Sequence, residues 1–381
     1  MRILERGTIF DASSAPPEER FCTFPSLAHL DGGRLVVSFR TGSAKDSADE
    51  DSRVMASDDD GQTWRVVFAG FGDLPPGRGR ARCLGITAAS GGRLLGSLGW
   101  MDRSDPSLSM FNPATEGILP TRVLLVESSD GGRTWSTGQE VPLAPHTGNA
   151  TTGSILVLKD GRLALPYEAW KSYHDAGPGR HHASLRISAD RGVTWPELGI
   201  VAHDPDGRVL YWDQRVCVAP DTGQLLAMFW THDRQAGRDM DIHIAWSLTT
   251  DGRQWSQPKS TGIAGQICAP LALGDGRVFA AYVHRHHPPS LRAILSDDFG
   301  RTWTAGEELV FYEKARGNES GMAGSRDFSD YWADMSIWTF GHPAPALLPS
   351  GDIMVVYYAG NEVAMGIHWA RIALDDRPAE S

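Results

Sequence analysis

Short apolar segments alternate with glycine-containing turns along most of the chain, and no long stretch has the apolar spacing of a helix. One phrase recurs, in which an apolar strand, a turn with Gly and a second apolar strand follow one another. It is found as PSLAHLDGGRLVVSF, GITAASGGRLLGSLGW, GSILVLKDGRLALPY, VCVAPDTGQLLAMFW, CAPLALGDGRVFAAY and PALLPSGDIMVVYY. Strands of this length joined by tight turns predict an all-β protein built from six repeated units.

A second motif, Ser-x-Asp-x-Gly-x-Thr-Trp, follows four of these phrases, and a degenerate copy follows one more. The four good copies end at Trp64, Trp135, Trp195 and Trp303, and the degenerate copy, LTTDGRQW, ends at Trp255. Asp and Ser side chains bond nearby backbone N–H groups, Gly permits a tight turn, and Trp fills the space between neighbouring sheets. The motif therefore predicts a stapled hairpin in each unit. The sequence between successive copies is about long enough for one four-stranded sheet.

These motifs resemble the Asp boxes of the sialidase-like (BNR/Asp-box) β-propeller superfamily, and they extend over nearly the whole chain before the sixth unit. The resemblance implies a propeller fold and a carbohydrate substrate. Asp boxes specify the fold better than the activity, because they also occur in propellers that are not enzymes.

The sixth phrase is followed by GIHWARIAL without an Asp box. An unpaired sheet edge at this point would be a liability, and ILERGTIF near the N-terminus is a strand that can pair with it. We therefore predict a single domain over residues 1–381, a six-bladed β-propeller with Asp-box hairpins that is closed by the N-terminal strand. An insertion at about residues 305–338 is expected between blades five and six.

Charge and apolar composition narrow the range of partners and locations. The formal net charge of -11 argues against nucleic acid and anionic membranes, which both bind basic surfaces. The segment MRILERGTIFDASS lacks the apolar core of a signal peptide, and no window approaches about 18 consecutive apolar residues. We expect a cytoplasmic protein without a membrane span. The oligomeric state is not predicted.

Cysteine spacing indicates neither a disulfide framework nor a metal site. Cys22, Cys83, Cys217 and Cys268 lie far apart in the sequence. We expect free thiols, and no cofactor.

Polar and aromatic residues collect in the loops after the second strands and in the segments before the first strands. Since turns alternate between the two ends of an antiparallel blade, these residues are expected on the face opposite the Asp boxes. Carboxylates and Arg bind sugar hydroxyls, and Trp packs on the apolar face of a sugar ring. The predicted substrate-binding residues are Arg40, Asp102, Arg103, Trp170, His174, Arg215, His232, His284, His286 and Trp338.

Sialidases that resemble this chain hold the substrate carboxylate with three Arg residues. The first of these positions corresponds to Thr23 here, and neither later position has a matching Arg, although Arg234 and Arg292 lie within a short shift. Because an Arg cluster is the natural bidentate grip for a carboxylate, its loss indicates that the substrate is not held as sialic acid is.

The same resemblance implies catalytic positions. Asp46 corresponds to the acid/base Asp, Asp213 to the Glu that pairs with the nucleophile, and His342 to the Tyr nucleophile. Asp46 and Asp213 are the predicted carboxylate pair, one protonating the leaving oxygen and one activating water, with His342 as a base or hydrogen-bond partner. Glu168 is a third acidic candidate. Asp49 and Asp51 are near alternatives to Asp46 for the acid/base position, and Asp102 and Glu116 are weaker acidic candidates.

Three functions are compatible with these residues. The favoured function is a glycoside hydrolase that removes a neutral or uronic terminal sugar and is not an efficient sialidase. An enzyme is favoured because acid and base candidates cluster. The alternatives are a uronate lyase, which would form a product absorbing in the ultraviolet, and a sugar-binding propeller without turnover. The run His284-Arg285-His286-His287 predicts no metal site, since neighbours in a strand point to alternate faces.

Overall fold

Six antiparallel sheets of four or five strands follow one another in chain order. The computed structural model describes residues 1–75, 78–179, 181–304, 306–314, 330–331 and 337–374. Each sheet contacts the next, and the innermost strand of the last sheet contacts that of the first, which closes a ring. The predicted all-β, six-bladed propeller is confirmed.

The strands carry one numbering along the chain. Strand β1 is Arg2–Phe10, and a short 3₁₀ helix follows at Pro17–Glu19. Blades 1 to 3 consist of β2 (Thr23–His29), β3 (Leu35–Thr41), β4 (Asp51–Ser57), β5 (Arg65–Phe68), β6 (Gly79–Ala89), β7 (Arg93–Asp102), β8 (Thr121–Ser128), β9 (Gln139–Glu140), β10 (Gly148–Thr151), β11 (Leu156–Val157), β12 (Leu163–Trp170), β13 (His182–Ser188) and β14 (Glu197–His203). Blades 4 to 6 consist of β15 (Val209–Val218), β16 (Leu225–Asp233), β17 (Arg238–Asp239), β18 (His243–Trp246), β19 (Lys259–Ser260), β20 (Cys268–Gly274), β21 (Arg277–His284), β22 (Ser290–Ser296), β23 (Leu309–Glu313), β24 (Phe340–Leu347), β25 (Ile353–Gly360) and β26 (Met365–Ala373), with β1 at the outer edge of blade 6.

The N-terminal strand closes the ring, as predicted. β1 pairs antiparallel with β26 along most of its length. Gly7 lies directly against Trp369 of β26, where an added Cβ would approach the indole Nε1 to 2.5 Å. Ile9 is buried in the same apolar cluster as Trp369. β1 is therefore an integral strand of blade 6.

Each Asp box joins the third and fourth strands of its blade, and its side chains staple the turn. In the first box, Ser57 Oγ accepts the Gly61 N–H at 2.9 Å and Asp59 Oδ1 accepts the Thr63 N–H at 2.9 Å. The Trp64 indole donates to the Gly61 carbonyl at 2.9 Å. The same indole bond recurs at Trp195, Trp255 and Trp303.

The core lies in apolar layers between adjacent blades. The consecutive residues Val36 and Val37 of β3 are both fully buried, Val36 against blade 2 and Val37 against blade 6. Neighbouring residues of a strand point to opposite faces, so a strand with a sheet on each side is apolar throughout. These layers fix the blades, and hence the strand ends around the central axis.

Strand β23 lies inside the range predicted as an insertion at residues 305–338. It is the fourth strand of blade 5, so the connection to blade 6 begins after it. Of the predicted insertion, residue 305 and residues 315–329 and 332–336 lie outside the described residues. Tyr331 and Trp338 are buried in the apolar cluster shared by blades 4, 5 and 6.

The four cysteines are free thiols, as expected, and Cys22, Cys217 and Cys268 are buried. Among the described residues, the structure has no helix with the length and apolar character of a transmembrane segment.

Candidate active site

A cavity of about 130 Å³ lies on the axis, on the face opposite the Asp boxes. Its walls are the ends of second strands and the beginnings of first strands, the parts of the chain that the sequence indicated. All six blades contribute side chains, among them Phe24, Trp100, Trp170, Trp212, Arg285 and Tyr358.

The floor of the cavity is built from irregularities of the innermost strands. Register shifts occur in β2 at Phe24, in β6 at Arg82, in β15 at Asp213 and in β24 at His342. Three of these residues have positive φ, with values of 51° for Phe24, 49° for Asp213 and 47° for His342. A bulge redirects a side chain out of the strand pattern, and here it turns all four toward the cavity.

Glu168 and Asp213 are two neighbouring carboxyl groups on this floor. Glu168 is only 3% exposed, and its oxygens accept the Gln214 N–H and the Trp170 indole N–H, both at 3.3 Å. Burial, assisted by the charge of Asp213, raises the pKa of Glu168 to about 8. Burial also raises the pKa of Asp213, but the Arg215 guanidinium opposes that shift. The two environments therefore favour one protonated and one ionised carboxyl group.

Arg215 links Asp213 to His342. Its Nη2 lies 3.7 Å from Asp213 Oδ1 and 3.0 Å from His342 Nδ1. Burial and the nearby charge of Arg215 hold the pKa of His342 well below its usual value, so the ring is neutral. Since a guanidinium only donates, His342 Nδ1 accepts, and the ring carries its hydrogen on Nε2. His342 thus offers a donor at Nε2.

One side of the cavity is an aromatic wall, formed by Trp212, Trp230, Tyr331 and Trp338. The ring centroids of Trp230 lie 4.9 Å from Trp212, 5.4 Å from Tyr331 and 5.8 Å from Trp338. Trp230 Nε1 is buried without a hydrogen-bond partner among the described residues. The wall offers flat apolar surfaces and an indole donor, a combination that suits a sugar ring.

Three arginines that were not predicted as site residues also line the cavity. They are Arg82, Arg122 and Arg285. Arg285 is 3% exposed, donates to the Phe340 carbonyl at 2.8 Å and lies over the Trp338 ring at 4.7 Å. Arg82 shares β6 with a second arginine, Arg80, whereas Arg285 directly follows the largely buried strand β21. A charged residue at the end of a buried strand is the sequence signal that would have identified Arg285, whereas the sequence does not distinguish Arg82 from Arg80.

Asp46 lies in an ion cluster beside the cavity, formed by Arg40, Asp46, Glu50, Arg82 and Arg103. Its Oδ2 accepts the Met110 N–H at 2.9 Å, and its Oδ1 pairs with Arg82 at 3.3 Å and with Arg103. Burial alone would raise the pKa of Asp46, but the charges of Arg82 and Arg103 hold it below its usual value. Asp46 is thus ionised and is not among the residues that line the cavity.

The other predicted binding residues divide between the cavity and its surroundings. Trp170 and Trp338 line the cavity, and His232 stacks behind Trp212 with an interplanar angle of 8°. Arg40 and Arg103 belong to the ion cluster. The remaining four lie away from the cavity lining, at Asp102, His174, His284 and His286. No group of three or more metal-ligating side chains comes together within the described part of the chain.

A family model described as a BNR repeat-like domain matches residues 102–321, more than half of the sequence. The chain belongs to the BNR repeat-like family. The sialidase-like resemblance of its Asp boxes is thereby confirmed. A search of curated protein sequences returns no match.

Solved structures share this fold over nearly the whole length of the protein. A protein of unknown function from Dyadobacter fermentans DSM 18053 is 19% identical, with coverage of 98% of this chain and 99% of that one and a TM-score of 0.72. A Hadza microbial sialidase is 17% identical (97% and 68% covered, TM-score 0.67). An intramolecular trans-sialidase from Ruminococcus gnavus is 13% identical (97% and 98% covered, TM-score 0.63). At these identities the likeness concerns the fold.

Proposed function

We propose that this protein is a glycoside hydrolase that removes a terminal sugar, with Glu168 as the proton donor and Asp213 as the ionised carboxylate. The observation that carries the proposal is the pair itself, the buried carboxyl group of Glu168 and the half-buried one of Asp213, in different electrostatic environments on the floor of an aromatic cavity. Two carboxyl groups with separated roles are what glycosidic cleavage requires.

In the proposed reaction, Glu168 gives its proton to the leaving glycosidic oxygen as the bond to the anomeric carbon breaks. Water adds to that carbon and passes a proton to Asp213, whose charge Arg215 stabilises beforehand. Transfer of a proton back to Glu168 completes the cycle. His342 Nε2–H donates to a substrate oxygen. Of the two roles predicted for His342, base and hydrogen-bond partner, this is the second.

The cavity supports a terminal sugar as the group that is bound. A cavity of ~150 Å³ holds one benzene ring in another protein, so the volume of about 130 Å³ here suits one terminal ring, and the open mouth leaves room for the rest of a glycan outside. Sialosides are expected to be poor substrates. Thr23 is fully buried at the position of the first carboxylate-binding Arg. The three cavity arginines already have protein partners: Arg82 pairs with Glu50 at 2.9 Å and Asp46 at 3.3 Å. Arg122 pairs with Glu140 at 3.2 Å, and Arg285 donates to Gln266 at 3.2 Å and to the Phe340 carbonyl at 2.8 Å.

The test is a screen of aryl glycosides and plant or bacterial polysaccharides, followed by reducing-end and ultraviolet assays. On the substrate found, Glu168→Gln and Asp213→Asn should each lower kcat by about 10²- to 10⁴-fold with an unchanged Tm. Glu116→Gln is the matched control, because Glu116 pairs with Arg234 at 2.7 Å away from the cavity lining.

Four results would overturn this proposal. Full activity in both carboxyl variants would exclude the pair, and efficient release of sialic acid would exclude the substrate class. A product that absorbs in the ultraviolet would indicate a lyase, for which His342 Nε2 would have to lose the hydrogen assigned to it. Saturable sugar binding without turnover would indicate a binding propeller.

A further inference from the structure

Asp239 lies behind the aromatic wall and accepts three hydrogen bonds. It is half-buried in the short strand β17 and does not line the cavity. Its Oδ1 accepts the Tyr331 hydroxyl at 2.9 Å and lies 3.3 Å from His232 Nδ1. Its Oδ2 accepts the Gln266 side-chain amide at 3.0 Å. One carboxylate thus holds three side chains from separate parts of the chain.

Two of these bonds fix the Trp212 ring. His232 stacks on Trp212 with a centroid distance of 5.2 Å and an angle of 8°, and the edge of Tyr331 packs against it at 5.8 Å. Tyr331 also contacts Trp230 and Trp338 of the wall. A change in the direction of either bond to Asp239 would therefore tilt the surface that faces the cavity.

The third bond reaches Arg285. Gln266 is 1% exposed, and its Oε1 accepts Arg285 Nε at 3.2 Å while its Nε2 donates to Asp239. The orientation of the Gln266 amide is thus fixed from both sides, since a rotated amide would direct NH₂ at the Arg285 donor. Arg285 lines both the cavity and a neighbouring groove that also includes Asp239.

We propose that Asp239 is a positioning residue for the sugar site, which sets the orientation of Trp212 through His232 and Tyr331 and that of Arg285 through Gln266. The inference rests on the proposed function for the identity of the ligand. The carboxylate is required because it accepts on both oxygens, whereas an amide of the same shape accepts on only one.

The chain offers a matched set of variants. Asp239→Asn keeps the volume but leaves one acceptor oxygen in place of two. Its NH₂ either faces the Gln266 amide, which only donates, or requires the Tyr331 hydroxyl or the His232 ring to turn from donor to acceptor. Asp241→Asn is the control, because Asp241 lies in the same groove and, among the described residues, its carboxylate accepts one hydrogen bond, from Ser260 Oγ at 2.9 Å. In the double variant Asp239→Asn/Gln266→Glu, the new amide donates to the new carboxylate, so the bond between positions 239 and 266 is regained in the reverse direction. Arg285, Tyr331 and His232 donate to these two side chains as before.

The experiment measures KM and kcat on the substrate from the screen, and the indole Nε1–H resonances by NMR. For Asp239→Asn we expect KM to rise about tenfold, which is about 1.4 kcal/mol of binding free energy, with kcat within about threefold of wild type. The double variant should restore KM and the indole resonances, and Asp241→Asn should leave both unchanged.

Two results would overturn the proposal. One is a wild-type KM in Asp239→Asn together with unchanged indole chemical shifts, and the other is an increase in KM that the double variant does not reverse. If the wild type turns over no glycoside, the proposed function fails by itself. The positioning role is then decided by the indole resonances and their restoration in the double variant, neither of which depends on turnover.

Discussion

Asp213 and His342 owe their positions to a backbone conformation that most residues avoid. A non-glycine residue at positive φ costs about 1–3 kcal/mol and persists only where the surrounding structure enforces it. Here the enforcement comes from the innermost strands, since β15 and β24 resume regular pairing directly after each bulge. The site is thus held by strands and not by mobile loops, which favours accurate placement of reacting groups.

The environment of Glu168 predicts the pH dependence of catalysis. Because the pKa of Glu168 is raised to about 8, its catalytic proton is present at lower pH and is lost as the pH rises through that value. We expect kcat/KM to fall above about pH 8, in a profile measured from pH 5 to 10. Glu168→Gln should lose this limb, and Glu116→Gln should retain it. A profile that stays flat through pH 8, or one that already falls between pH 5 and 6, would contradict the assignment.

At the scale of elements, the Asp boxes and strand pairs could be predicted because each depends on residues that are close in the sequence. A box needs only eight consecutive residues, whose side chains bond the backbone of the same turn. The bulges were not readable, because a register shift depends on how two strands pair. Asp213 and His342 were named from the family resemblance and not from their bulges, whereas Arg82, which the bulge in β6 turns into the cavity, had no such guide.

The ion cluster is a second feature that the sequence could not reveal. Asp46 was predicted as a catalytic acid from its distance to the first Asp box. Its partners Arg82 and Arg103 come from blade 2, and only the packing of the blades brings them within 4 Å. Glu168, conversely, was ranked as a third candidate, because its burial beside Asp213 depends on contact between blades 3 and 4.

The Asp-box tryptophans are expected to act on stability alone. Trp195 is 2% exposed, packs in the apolar layer between blades 2 and 3, and donates to the Gly192 carbonyl at 3.0 Å. Trp195→Ala should lower the free energy of unfolding by roughly 3–5 kcal/mol. Denaturant unfolding measures the change, with Val193→Ala as the control because Val193 is 65% exposed. An unchanged transition in Trp195→Ala would show that the box does not need its ring.

At the scale of the whole molecule, the cavity exists only when the ring is complete. Blade 1 supplies Phe24 and blade 6 supplies His342 and Tyr358, and these two blades meet at the closure. Stability of the ring and geometry of the site are thus coupled, since a displacement of blade 6 would move His342 away from Arg215.

Removal of the closing strand tests this coupling. Deletion of residues 1–10 would expose the ladder edge of β26 and the apolar surface around Trp369. We expect a Tm lower by about 10 °C or more, with aggregation through the open edge. Calorimetry and light scattering measure the two effects. Leu4→Ser is the control, because Leu4 is 40% exposed in the same strand. A deletion variant with wild-type Tm would refute the closing role of β1.

Closure by β1 also sets the order of events during protein synthesis. β1 leaves the ribosome ahead of the other strands, yet its partner β26 is made after all of them. A growing chain that has reached blade 5 holds five sheets in an arc with unpaired edges at both ends, the kind of surface on which nascent chains associate with one another. The ring therefore cannot be finished blade by blade. We expect its completion to be one late step, the pairing of β1 with β26.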